Sequence, residues 1–88
     1  MARIEIENAD MAALGAANNA GILFEMGMMY ATGRDCEVDM VAAHKWFNIA
    51  AIKGCSRAAL LRSEIAETMS KPQLASALRA AREWMTRH

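Results

Sequence analysis

The chain has 88 residues, a length that allows one small domain but not two independent hydrophobic cores. Hydrophobic residues make up 55% of it. Because 19 of these residues are alanine, the larger apolar side chains suffice for one thin core only. Ten basic and ten acidic residues give a net charge of zero, which argues against binding nucleic acid by bulk electrostatics. Few β-branched residues and a single proline favour an all-helical domain.

The zero net charge conceals an uneven distribution along the chain. Residues 1–40 contain two basic and seven acidic side chains, whereas residues 41–88 contain eight basic and three acidic ones. The two halves therefore carry net charges of −5 and +5. Halves of opposite charge can attract each other between two copies of a chain, although small helical domains also acquire such a distribution by chance.

Residues 1–18 are predicted to be an N-terminal extension or a partial cap, with a short helix over residues 10–14. Residues 19–88 are predicted to form a single domain with four main helices, because apolar residues recur there at helical spacing. The loops between these helices are short, so neighbouring helices are expected to form antiparallel hairpins.

The first two helices are predicted at residues 19–31 and 39–53. Gly33 ends the first, because glycine tolerates a positive φ. Asp39 is the predicted N-cap of the second, and Gly54 lies just beyond its end. The apolar stripe of the second helix consists of Ala43, Trp46, Phe47, Ala50 and Ala51.

The third helix is predicted at residues 56–69. The fourth begins with a capping box in which Ser70 and Gln73 cap each other, and Pro72 is tolerated in its first turn. The apolar faces of these two helices consist of Ala58, Leu61 and Ile65, and of Leu74, Ala77, Leu78, Ala81 and Met85 with Trp84 beside them.

Small and aromatic residues recur at a regular spacing between residues 20 and 58. In chain order they are Phe24, Met26, Gly27, Tyr30, Gly33, Asp39, Ala43, Trp46, Phe47, Ala50, Ala51, Gly54 and Ala58. This pattern closely resembles the Sel-one-like repeat, an αα-hairpin relative of the tetratricopeptide repeat, and it does so without an insertion. The resemblance implies a short αα-hairpin solenoid with one full repeat, in which helices three and four form a C-terminal capping hairpin.

The landmarks of this pattern are scaffold residues with separate roles. Gly27 is expected to let the second helix approach the first closely. Trp46 and Phe47 are expected to fill the space between the two helices, and the small Ala50 and Ala51 permit close packing at the far end. A glycine at position 54 then closes the hairpin.

The resemblance implies a non-catalytic scaffold or adaptor that binds a partner helix or peptide on a concave face. The first helix of each hairpin would line that face, and on it Glu25, Met28, Met29 and Thr32 are the candidate protein-binding residues. Only one of the adjacent Met28 and Met29 can face the neighbouring helix, which leaves the other for an interface. Because so short a solenoid buries little surface, we expect a homodimer or a higher oligomer.

The sequence also departs from the family pattern. Asp35 and Cys36 stand where the usual loop has a second glycine and a valine. Arg62 and Ser63 stand where a leucine-glycine pair would mark a second full repeat. This favours a capping role for the third helix, whose polar side chains are expected to face water. They are Arg62, Ser63, Glu64 and Glu67.

Neither a catalytic constellation nor a phosphate-binding glycine loop is present, so no enzyme activity and no cofactor are predicted. His44 lies one step off the apolar stripe and has no suitable second ligand three or four residues away. It is therefore predicted to be a surface or rim histidine, and no metal site is expected. Cys36 and Cys55 are predicted to be free thiols.

The alternative function is a small nucleic-acid-binding regulator of the helix-turn-helix kind. Helices three and four would form the motif, with Arg79, Arg82 and Arg87 on the second of them. Glu83 lies beside these arginines, which weighs against nucleic acid as a partner. The chain contains no apolar run long enough to cross a membrane, and a signal peptide is not recognisable, so a cytoplasmic location is expected.

Overall fold

A computed structural model describes residues 19–87. This part of the chain contains four α-helices and no strand, which confirms the all-helical prediction. The predictions for residues 1–18, including the short helix, lie outside the described residues. The helices are α1, Ala20–Thr32; α2, Met40–Ile52; α3, Ser56–Ala66; and α4, Lys71–Arg87.

The ends of α1 and α2 follow local side-chain and backbone chemistry. The Asn19 side chain caps α1 by accepting from the backbone N–H groups of Gly21 and Ile22 at 2.7 and 3.3 Å. Gly33 ends α1 in the left-handed conformation, with φ 77°, as predicted. The carboxylate of Asp39 accepts from the backbone N–H of Ala42 at 3.0 Å, which confirms the predicted N-cap of α2.

The predicted capping box at the start of α4 is confirmed. The backbone N–H of Ser70 donates to the side chain of Gln73 at 2.9 Å, and the backbone N–H of Gln73 donates to the Ser70 hydroxyl at 3.2 Å. The prediction for α3 was too long, because this helix ends at Ala66 and not at residue 69. The backbone N–H and the hydroxyl of Thr68 both donate to the carbonyl of Ile65, which tightens the chain into a turn.

The packing of α1 against α2 depends on Gly27. A Cβ atom at this position would lie 2.5 Å from Cδ1 of Phe47, a separation that two carbon atoms do not tolerate. Phe47 is fully buried, and its ring centroid lies 5.6 Å from that of Phe24. The predicted close approach at Gly27 is therefore confirmed.

Trp46 has a different position from the one expected. Its ring lies against Trp84 of α4 in an edge-on arrangement, with centroids 5.5 Å apart and planes at 79°. Successive residues of a helix point about 100° apart, so Trp46 and Phe47 cannot fill the same space. Phe47 fills the space against α1, and Trp46 helps to join α2 to α4.

Helix α2 is the centre of the domain. It packs against α1, α3 and α4, whereas these three helices make few close contacts with one another. A short loop joins α3 to α4, so two helices with few mutual contacts must diverge from that loop. The pair of helices α3 and α4 is therefore splayed, and each of them packs mainly on α2.

Candidate functional site

The divergence of α3 from α4 leaves a cleft between them, and α2 forms its floor. His44, Asn48 and Ile52 supply the floor side chains. Residues four apart lie above one another on one face of a helix, which places these three in a row along the cleft. The cleft has a polar end and an apolar end, which share Asn48 and Leu78.

The apolar end is a groove of about 330 Å³ between α2 and α4. Two aliphatic side chains stand exposed at this end, Ile52 at 59% and Leu78 at 40%. The groove is lined by Asn48, Ile52, Leu78, Ala81, Arg82 and Met85. Exposed aliphatic side chains beside a groove are typical of a surface that binds another polypeptide.

The polar end is a smaller groove of about 240 Å³. Its lining consists of His44, Asn48, Arg62, Ser63, Ala66, Leu74 and Leu78. Nη1 of Arg62 donates a hydrogen bond to Oδ1 of Asn48 at 2.8 Å, which ties α3 to the floor of the cleft. The side chains that line the two grooves include two arginines and no carboxylate, so this part of the molecule favours negatively charged groups.

His44 contradicts the prediction that it lies at the surface or rim. It is only 3% exposed, and its Nδ1 atom has no hydrogen-bond partner in the described part of the chain. Burial lowers the pKa of His44, and the nearby positive charge of Arg62 lowers it further. The ring is therefore neutral at pH 7, with one nitrogen as a donor and the other as an acceptor.

The prediction failed because it allowed α2 one buried stripe. Contacts with three helices bury a wider face, which includes His44 and the fully buried Ile49. The four-residue spacing of His44, Asn48 and Ile52 was the sequence signal for the cleft floor. It could not be interpreted without the positions of α3 and α4, which form the two sides of the cleft.

Arg62 is also not where it was expected. It is half-buried and bonded to Asn48, whereas Ser63, Glu64 and Glu67 are exposed as predicted. The splayed position of α3 turns the Arg62 side chain into the cleft.

Two of the four candidate protein-binding residues on α1, Glu25 and Thr32, have polar partners within the helix or the loop that follows it. Glu25 lies 3.6 Å from Arg34 in an exposed ion pair, and the Thr32 hydroxyl donates to the carbonyl of Met28 at 2.7 Å. Met28 packs against the buried core, and Met29 is half-buried. The four residues do not lie on the cleft.

The thiols and remaining arginines are spread over the domain. Cys36 and Cys55 are both free and partly buried. Arg79, Arg82 and Arg87 are exposed on α4, and only Arg82 borders the cleft. Within residues 19–87, histidine, cysteine, aspartate and glutamate side chains form no group of three that could hold a metal ion.

The fold and the cleft define the class of the molecule as a small all-helical domain with an open groove. None of the helices in the described range is long and apolar enough to cross a membrane. No protein-family model matches the sequence, and neither the curated proteins nor the solved structures include a significant match.

Proposed function

We propose that this chain is a non-catalytic protein–protein interaction module, an adaptor that binds a partner helix or peptide and associates with itself. The observation that carries the proposal is the groove between α2 and α4, with Ile52 and Leu78 exposed on it. Exposed aliphatic side chains that share one groove, unlike single exposed ones, are typical of an interaction surface.

We further propose that the scaffold is a Sel-one-like repeat. The close contact between Gly27 and Phe47 supports this assignment, because these positions are landmarks of the pattern. Gly33 and Gly54 have φ values of 77° and 110°, which suit glycine alone or nearly so. Asp35, which stands where the family has glycine, also has a positive φ of 63°.

The cleft is a better docking surface than the α1 residues expected from the resemblance. The charged and hydroxyl groups of Glu25 and Thr32 already have local partners, and Met28 packs against the core. In contrast, the polar end of the cleft contains a His44 nitrogen that has no hydrogen-bond partner among residues 19–87, and its apolar end exposes aliphatic surface.

Sedimentation of the full chain tests the self-associating part of the proposal. At a concentration on the order of tens of micromolar we expect a dimer or a larger assembly. Replacing both cleft residues, Ile52→Gln with Leu78→Gln, should shift the chain toward monomer. Leu60→Gln is the matched control, because Leu60 is 61% exposed on α3 but does not line the cleft.

A wild-type chain that remains monomeric at this concentration would contradict self-association. Equal dissociation by the Leu60 variant and by the cleft variant would contradict the choice of surface. Circular dichroism of each variant shows that the helices are retained.

A further inference from the structure

We propose that the polar end of the cleft, formed by His44, Asn48 and Arg62, binds a carboxylate group of a peptide partner whose aliphatic side chains contact Ile52 and Leu78. This inference rests on the proposed interaction function and adds the chemistry of the partner. It predicts an acidic, partly aliphatic peptide.

The imidazole of His44 lies buried at the polar end of the cleft. A buried polar atom without a hydrogen bond costs free energy, so native proteins leave few such atoms unpaired. Nδ1 of His44 is such an atom, on a side chain that is 97% buried and that lines the groove. The His44 side chain lines the groove, so a carboxylate that Arg62 binds there would change the surroundings of the imidazole ring.

The positive charge of Arg62 also lies at the polar end of the cleft. Its guanidinium uses Nη1 to hold Asn48 at 2.8 Å, and no acidic residue among residues 19–87 lies within ion-pair distance of it. The remaining N–H groups of a half-buried guanidinium are strong donors for a carboxylate. The bond to Asn48 also fixes the direction of the Arg62 side chain before any ligand arrives.

The polar groups lie close to the aliphatic surface of the same cleft. The row from His44 through Asn48 to Ile52 rises two helical turns, or about 12 Å, along α2. A carboxylate at the His44 end thus lies within a few residues of an aliphatic side chain at the Ile52 end. Arg82 borders the apolar end, so both ends of the cleft favour a negatively charged partner.

The test uses the full chain, ¹⁵N-labelled, at a concentration below that at which it self-associates, because self-association is proposed to use the same aliphatic side chains. The ligands are short acetylated, amidated peptides in which leucines flank a central residue. The central residue is glutamate in the first peptide and glutamine in the second. A third peptide has the central glutamine and a free terminal carboxylate. We expect the glutamate peptide to perturb the ring resonances of His44 and to bind at least about tenfold more tightly than the glutamine peptide.

Two substitutions locate the effect. Arg62→Met should reduce the affinity for the glutamate peptide to that for the glutamine peptide and leave the latter unchanged. Arg79→Met is the matched control, because Arg79 is exposed on α4 and does not line the cleft, and it should change neither affinity. If Arg62→Met fails to fold, the His44 resonances of the wild-type chain still report the contact.

Each result of the peptide titrations supports or overturns the proposed carboxylate site. Binding of the third peptide at the strength of the first would also support it and would identify a chain terminus as an acceptable source of the carboxylate. Equal binding of the first two peptides would overturn the carboxylate site and leave the interaction function in place. If no peptide binds while Ile52→Gln with Leu78→Gln still dissociates the assembly, the inference fails but self-association through the cleft stands.

Discussion

The two halves of the domain pack against α2 in different ways. On the α1 side the contact is made by large interlocking side chains, with Leu23, Phe24 and Phe47 all buried. On the other side the buried residues of the same core cluster are alanines, Ala58 from α3 and Ala81 from α4. Large side chains close the α1–α2 hairpin, whereas alanines let two helices reach α2 without filling the space between them. The cleft is the result of that difference.

The largest loss of stability is expected from Gly27→Leu, which acts on the contact between α1 and α2. A leucine side chain would overlap the ring of Phe47, and forced overpacking of a core costs about 1–3 kcal/mol or more. For a domain of this size such a loss lowers the melting temperature by about 10 °C or more. Thermal melts followed by circular dichroism measure it.

The control for this prediction is partial rescue. Gly27→Ala combined with Phe47→Leu should be less destabilised than the two single changes would give by addition, because the smaller side chain makes room for the new Cβ. A Gly27→Leu variant with unchanged helicity and melting temperature would contradict the repeat assignment.

The second largest loss of stability is expected from Trp84→Ala, which acts on the contact between α2 and α4. It removes the edge-on contact with Trp46 and a half-buried ring, at a cost of about 2 kcal/mol. Hydrogen exchange should then show faster exchange of the α4 amides than of the amides in α1 and α2. An equal loss of protection in all four helices would mean that α4 is not a separable unit.

A smaller loss of stability is expected when the pH is lowered, because His44 then becomes protonated. Because its pKa is lowered in the folded state, the unfolded chain binds more protons below the ordinary histidine pKa of 6.5. Stability from this group is therefore fully present above pH 6.5 and is lost as the pH falls toward the folded-state pKa. Arg62 is the charged group identified as acting on His44, and its positive charge adds to the loss.

Melting temperatures between pH 7.5 and 5.5 test this sign. We expect the wild type to lose stability across this range and His44→Gln to lose less. His88→Gln is the matched control, because it removes the other histidine and should retain the wild-type loss. A larger loss in His44→Gln than in the wild type would contradict the assignment.

The sequence predicted the local features of the fold better than it predicted the cleft. The caps at Asp39 and Ser70 and the close approach at Gly27 depend on residues near one another in the chain or on one helix pair. The burial of His44 and the inward turn of Arg62 depend on where α3 and α4 meet α2. Hydrophobic periodicity identifies one buried face of a helix but does not determine how many other helices pack against it.

The smallest change in stability is expected from substitutions of Asp35. They test whether the loop between α1 and α2 has the geometry of the repeat. Asp35 is exposed and has φ 63°, a conformation that costs most residues about 1–2 kcal/mol and glycine almost nothing. We expect Asp35→Gly to be more stable than Asp35→Ala by about 1 kcal/mol, with the wild type between them because aspartate tolerates this conformation better than alanine does. Asp35→Asn removes the charge and keeps this tolerance, so it should match the wild type in urea unfolding. If alanine proved as stable as glycine here, the left-handed residue would not be what shapes this loop, and its support for the repeat assignment would be lost.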